Sequence, residues 1–409
     1  MNRITTIDFA RGVVMIIMAL DHTRDLLYIN LQDPTNLATT TPILFFTRWI
    51  THFCAPTFVF LSGVSAYLSL KNQAGVHVVE AEKGKTGAGK ADTGARRADT
   101  GAGRRFLLTR GIWLVVVEFT VVNVALWADF HFRTLIFEVI ATIGCGFIIL
   151  SFLTRVPPGT LGIAGLVLIF GLGLFSSVML PNKPVLQFIG SLLMGPGVFP
   201  LGPNRMLIIA YPILPWLGIM LAGFGCGRIF ELPAAIRKKI FLRVGLAALG
   251  LFVVLRYSNL YGNPTPWSVQ KNALFTFLSF INYSKYPPSL LFDLVTLGCL
   301  LLLLAAAEGK KNRFMELATV YGKTPLFYFL IHLYVIHFAM FIMVFCQGYH
   351  PADLVFGPFK FGRPAAGSGI TLPYVYAVWL GVVVLMYPLC RRYGSYKKSH
   401  PEKRWLRYL

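Results

Sequence analysis

The stretch "IDFARGVVMIIMALDHTRD", residues 7–25, decides the fold. Its uncharged core, Gly12 to Leu20, is far shorter than the roughly 20 apolar residues that cross a bilayer. Charges flank it on both sides: Asp8 and Arg11 before, Asp21, His22, Arg24 and Asp25 after. It is either a helix of a soluble core or a membrane helix that holds ionisable groups. The whole chain settles the choice. Its 409 residues are 56% hydrophobic and only 13% charged, with a mean hydropathy of +0.64, unlike a soluble enzyme of this size. Apolar runs recur from end to end, so the segment is read as a span and its charges lie at membrane depth.

The net charge of +21 does not indicate nucleic acid, because the basic residues sit between apolar runs, where orientation signals belong. The six cysteines (Cys54, Cys145, Cys226, Cys299, Cys346, Cys390) lie in or beside apolar segments without paired spacing. They read as buried thiols rather than a disulfide framework or a zinc site. No cleavable signal peptide is expected, since the first apolar segment lacks a small-residue cleavage site.

The expected fold is an all-α polytopic membrane protein, a bundle of about ten transmembrane helices. Spans are expected at 7–28, 43–70, 106–127, 133–153, 159–180, 206–227, 240–256, 288–307, 320–345 and 371–390. Residues 185–199 are apolar but short and Gly/Pro-interrupted, and read as a re-entrant or interfacial piece. Eight Lys and Arg fall in loop 71–105, whereas loop 29–42 has none. The positive-inside rule therefore places both termini in the cytoplasm. The chain divides into helices 1–2 (1–70), a flexible basic cytoplasmic loop (71–105), helices 3–10 (106–393) and a basic cytoplasmic tail (394–409). Within the loop, "GKTGAGKA" (84–91) imitates a phosphate-binding loop, but Ala91 replaces the Ser or Thr that would hold magnesium and no strand precedes it.

Asp8, Arg11, His22 and Asp25 are separated by three, eleven and three residues, which puts all four on one helical stripe. Arg11 and His22 are then about 16 Å apart along the axis. Other spans add polar groups near the His22 level: Arg48 and His52, His332 and His337, Glu118, Glu138 and Asp293. Intramembrane ionisable residues usually face a protein interior or a wet cavity. Each also has a plain structural reading. His332 or His337 could simply bond a backbone carbonyl, the three acids could be interhelical partners, and Asp8–Arg11 could be an i,i+3 pair. For His22 a carboxylate within one turn, Asp21 or Asp25, suits a general base. No metal is expected, because no HxxH or HxxxH pair occurs and His332 and His337 point about 140° apart.

"IDFARG" followed by His22 resembles the first-helix signature of transmembrane acyltransferases such as the acyltransferase-3 family. "RWITHFCAPTFVFLSGVSAYL", "YPILPWLGIMLAGFGCG", "YGNPTPW", "KYPPSLLFDLVTLG" and "YGKTPLFYFLIH" are similar to the bacterial branch of the heparan-α-glucosaminide N-acetyltransferase-like family. The resemblance implies an enzyme of the bacterial inner membrane. It would move an acetyl group from cytoplasmic acetyl-CoA to an extracytoplasmic acceptor, an amino sugar or envelope glycan. It implies an intramembrane histidine, His22 or His52, as principal base; the chemistry would then use Asp25 or Asp21 to orient it and Arg48 or His52 to meet the developing oxyanion. Arg11 and Asp8 would meet CoA, and Arg24, His332, His337 and Asp293 the acceptor. The lysosomal relative has Asp where His52 aligns. Expected partners are the lipid bilayer, acetyl-CoA and a saccharide or amine acceptor, with a homodimer as an open option. The competing readings are a proton-coupled transporter or channel using the same His/Asp/Arg layer, and a scaffold subunit for envelope polysaccharide.

Overall fold

The computed structural model describes residues 4–30, 32–83, 92–175, 183–364 and 367–407. Fifteen α-helices are described: α1 (Thr5–Leu27), α2 (Pro42–Thr51), α3 (Cys54–Lys83), α4 (Asp92–Val117), α5 (Asn123–Trp127), α6 (Val139–Phe152), α7 (Pro158–Gly171), α8 (Pro184–Leu193), α9 (Ile213–Cys226), α10 (Ala234–Ser258), α11 (Ala273–Ile281), α12 (Leu290–Ala307), α13 (Arg313–Gly322), α14 (Pro325–Cys346) and α15 (Leu372–Ser399). Three strands accompany them: β1 (Thr134–Phe137), β2 (Gly197–Gly202) and β3 (Arg205–Ile209).

Eight described helical segments are long and apolar enough to cross a membrane. α1 has the length, 23 residues, and α6 is apolar but only 14 residues long. Apolar side chains on the outer helices point away from the protein: Val167 on α7, Val254 on α10 and Val384 on α15 are 64%, 65% and 71% exposed. Such surface is stable only against lipid or another protein. The chain is a multi-pass membrane protein.

The all-α expectation is corrected by the small sheet. Residues 133–138 and 206–209, expected as the starts of spans, are mainly extended instead. β1 lies parallel to β3, with Thr134 opposite Met206 and Phe137 opposite Ile209. β2 returns antiparallel on the other edge of β3. The buried side chain of Asn123 holds the free side of β1, donating to Thr134 O (2.9 Å) and accepting from Ile136 N (3.1 Å). Pro212 then caps α9. The piece at 185–199 is α8 followed by the start of β2. Two expected spans are broken: 43–70 at His52–Phe53, between α2 and α3, and 320–345 at Lys323–Thr324, between α13 and α14. In both, a proline in the first turn of the second helix (Pro56, Pro325) lacks the N–H a continuous helix would bond. Of the expected flexible loop, 71–83 continue α3 and 92–105 belong to α4; "GKTGAGKA" lies outside the described residues.

α1 runs through the centre, touching α2, α3 and α12–α15. It gets there because small residues let backbones meet. A Cβ on Gly12 would stand 1.8 Å from Ala318 O, and one on Gly322 1.7 Å from Asp8 O. Elsewhere, Glu308 ties the beginning of α1 to α10. It accepts from Thr6 Oγ1 (3.3 Å), Arg237 Nε (3.0 Å) and Arg237 Nη2 (2.7 Å).

Candidate functional site

The last two turns of α1 open onto a cavity of about 560 Å³. Asp21, His22, Arg24 and Asp25 face it from α1, Arg48 and Thr51 from α2, and Glu138, Tyr211, Lys285 and Tyr286 from the connecting segments. The sheet supplies an apolar wall through Ile136, Val198, Ile208 and Ile209.

Asp21 is the hub. Its Oδ1 accepts from Arg48 Nη1 (2.8 Å), Arg24 Nη2 (2.6 Å) and Thr51 Oγ1 (2.7 Å), and its Oδ2 from Arg48 Nη1 (2.6 Å). Arg24 Nη2 also reaches Asp25 Oδ1 at 2.6 Å. Two carboxylates and two guanidiniums thus neutralise each other. Arg48 and Thr51, three residues apart on α2, share the face of that helix that meets α1.

The expected pairing of His22 with Asp21 or Asp25 is absent among the described residues: both carboxylates are taken by arginines. His22 faces the cavity, and its ring lies 5.3 Å from that of His332. His332 stands behind it, fully buried, with Nδ1 on Tyr328 O at 2.9 Å and Nε2 buried without a partner. A carbonyl can only accept, so Nδ1 carries the hydrogen and Nε2 is a bare acceptor.

The remaining expected residues fall elsewhere. His52 does not line the cavity; it packs against Tyr283 and Phe292, each ring 5.9 Å away. Asp293 is buried in the first turn of α12 and does not line it either. His337 bonds two carbonyls, Ala125 O through Nδ1 (3.1 Å) and Phe361 O through Nε2 (2.9 Å). It thereby fastens a loop whose Phe361 stacks on Trp127 at 5.0 Å and lines the cavity. The buried Arg363 ties the same loop to the end of α1, donating to Tyr28 O at 2.9 Å and to the Ser368 carbonyl.

Arg11 opens onto a second cavity, of about 330 Å³, lined also by Ser62, Ser65, Arg110, Lys323 and Lys397. Arg11 donates to Leu61 O (3.1 Å) and to Ser65 Oγ, and Asp8 lies 3.7 Å from its guanidinium. Asp8 itself lies outside the lining. Phe58, Val139 and Phe329 line both cavities. Three apolar side chains, from α3, α6 and α14, therefore part a basic chamber from a mixed-charge one.

Sequence reasoning missed Lys285, Arg110, Lys323 and Lys397 as site residues. Arg110 had a signal, being a charge inside an apolar run. Lys285 had none beyond its place in the aromatic loop "NYSKYPPS".

Fold and cavities together define a multi-pass membrane protein with a polar site enclosed in its helix bundle. The chain belongs to the heparan-alpha-glucosaminide N-acetyltransferase, catalytic, family, whose model matches residues 3–256. The match contains α1 to α9 and ends within α10, so Lys285, Tyr286, Phe329 and His332 lie beyond it. No curated protein matches the chain.

Proposed function

We propose that the protein is a membrane acetyltransferase. Acetyl-CoA enters the basic cavity from the cytoplasm, and its acyl group is delivered to an acceptor in the mixed-charge cavity. The observation that carries this reading is the pair of cavities that meet at Phe58, Val139 and Phe329. Arg11, Arg110, Lys323 and Lys397 form a cationic chamber suited to the phosphates of a nucleotide. The roughly 16 Å along α1 from Arg11 to His22 is comparable to an extended pantetheine arm. Family membership supports the same chemistry.

In the reaction, His22 takes a proton from the acceptor's amine or hydroxyl as that atom attacks the thioester carbonyl. The tetrahedral intermediate collapses with cleavage of the C–S bond. The CoA thiolate leaves and is protonated, with the proton held by His22 as its immediate source. Arg48, fixed by Asp21, lines the same cavity as His22 and is the cation assigned to the developing oxyanion. Through an acyl-histidine, the His22 imidazole nitrogen would first attack the thioester and release the CoA thiolate, and the acceptor would then displace the imidazole, breaking the acyl–nitrogen bond as its own bond to the acyl group forms.

The decisive experiment follows label from [¹⁴C]acetyl-CoA into an amino-sugar acceptor, using purified protein in lipid nanodiscs. Wild type is expected to transfer label and His22→Ala to lose transfer while still binding CoA; retained turnover in His22→Ala sinks the assignment. Labelled protein trapped without acceptor distinguishes the acyl-histidine route from direct transfer. Two cavities meeting at a thin partition would also suit a transporter, and solute flux in liposomes without acyl transfer would favour that reading.

A further inference from the structure

Not every charge around the larger cavity sits in an ion pair. Arg24 and Arg48 are spent on Asp21 and Asp25. Lys285 is not. It is only 8% exposed, it lines the cavity, and among the described residues its ammonium makes no hydrogen bond and no ion pair. Its neighbours are aromatic: the Nζ lies 5.0 Å from the ring centre of Tyr286 and 5.7 Å from that of Tyr211. Aromatic faces offset only part of the cost of withdrawing an ammonium from water.

The segment that presents Lys285 is held firmly. Asn263 Oδ1 accepts from Ser284 N (2.8 Å), Asn282 Nδ2 donates to Thr35 O (3.0 Å), and Ser289 N donates to Ser284 O (3.1 Å). Behind it, the buried Arg256 donates to the carbonyls of Phe280 (2.8 Å), Thr265 (2.9 Å), Ser279 (2.8 Å) and Asn282 (2.6 Å). Lys285 therefore has little freedom to swing out to water. Glu138 also lines the cavity, with Lys285 as its foremost opposite charge, and no described residue bonds its carboxylate. The cavity thus offers a cation and an anion that feel each other's charge but share no ion pair or hydrogen bond among the described residues.

We infer that Lys285, beside Tyr211 and Tyr286, is a subsite for an anionic group, carboxylate or phosphate, on a small polar acceptor that enters the larger cavity. Glu138 then faces the acceptor's amine or hydroxyl end, on the same side of the partition as His22. The inference refines the acyl-transfer reading by specifying an acidic acceptor, but the subsite is testable by binding alone.

The test measures binding to the full-length protein in nanodiscs, by shifts in tryptophan fluorescence and melting temperature. The probes are glucosamine, glucosamine 6-phosphate, glucuronate and inorganic phosphate. Wild type is expected to bind glucosamine 6-phosphate or glucuronate at least tenfold more tightly than glucosamine. The phosphate and carboxylate arms identify the preferred group, and the inorganic phosphate arm shows whether the sugar is needed. Lys285→Met should lose that preference with glucosamine binding unchanged, and Lys285→Arg should restore part of it. Three results overturn the proposal: wild type that binds no anionic probe more tightly than glucosamine, Lys285→Met that keeps the preference, or Lys285→Met that weakens all probes alike. Because no probe experiment uses acetyl-CoA, failure of acyl transfer leaves this outcome independent.

Discussion

Arg48 and Asp21 join α2 to α1 through one guanidinium nitrogen that reaches both carboxylate oxygens, at 2.8 and 2.6 Å. The pair is sheltered, and Thr51 and Arg24 complete the carboxylate's shell. Removing one partner of such a pair strands the other charge in a poorly solvated place. Arg48→Ala should therefore lower stability by about 3–5 kcal/mol. Arg48→Lys should cost less, since it keeps the charge but not the planar fork. Thermal melts in detergent followed by tryptophan fluorescence check this, and a midpoint unchanged in Arg48→Ala would refute it.

His332 should matter for rate rather than for binding. Its bare Nε2 lies in the shell behind His22, whose ring is 5.3 Å away, so it is placed to influence the proton on that imidazole. His332→Phe keeps a ring of similar size and removes the acceptor. The expected result is a fall in kcat of about 10²-fold with KM for acetyl-CoA unchanged. An equal rise in KM instead would assign His332 to packing.

The partition should set which acyl groups pass. Phe58→Ala or Phe329→Ala removes one of the three side chains shared by the cavities. Turnover of octanoyl-CoA relative to acetyl-CoA should then rise about tenfold or more. Paired kcat/KM measurements decide the point; an unchanged ratio would mean that the acyl group takes another path.

Gly12→Ala tests the close approach of α1 and α13. The added Cβ would stand 1.8 Å from a backbone oxygen, which cannot rotate away as a side chain can. Overpacking of this kind costs about 1–3 kcal/mol or more. Gly250→Ala on the lipid-facing α10 is the matched control. It meets nothing within 4 Å and should be neutral or slightly stabilising. Equal melting temperatures for the two variants would refute the argument.

Much of the bundle was legible because apolar runs and charge placement are local properties of the sequence. The stripe on α1 was legible for the same reason: Arg11 and His22 do face separate cavities along one helix. Pairing across elements was not. Nothing in the spacing of Asp21, His22 and Asp25 announces that two arginines, one from another helix, take both carboxylates. The strands at 134–137 and 205–209 were absorbed into expected spans because short runs such as "TLIF" and "RMLII" are apolar in either conformation. Extended structure there depends on a partner more than 60 residues away. Lys285 was invisible because nothing local in "NYSKYPPS" announces a lysine buried beside two tyrosines on a cavity wall.

The partition has an electrical consequence as well. In the proposed orientation, water approaches Phe58, Val139 and Phe329 from both sides. The hydrocarbon thickness of about 30 Å is then replaced locally by a few ångströms of aromatic and aliphatic side chain. The whole membrane potential then falls across that thin layer, and it is worth about 2.3 kcal/mol per elementary charge per 100 mV. A neutral thioester or acetyl group crosses such a spot without electrical work, whereas a bare proton or ion does not. The same three residues that admit an acyl chain would thereby keep the membrane from discharging through the enzyme.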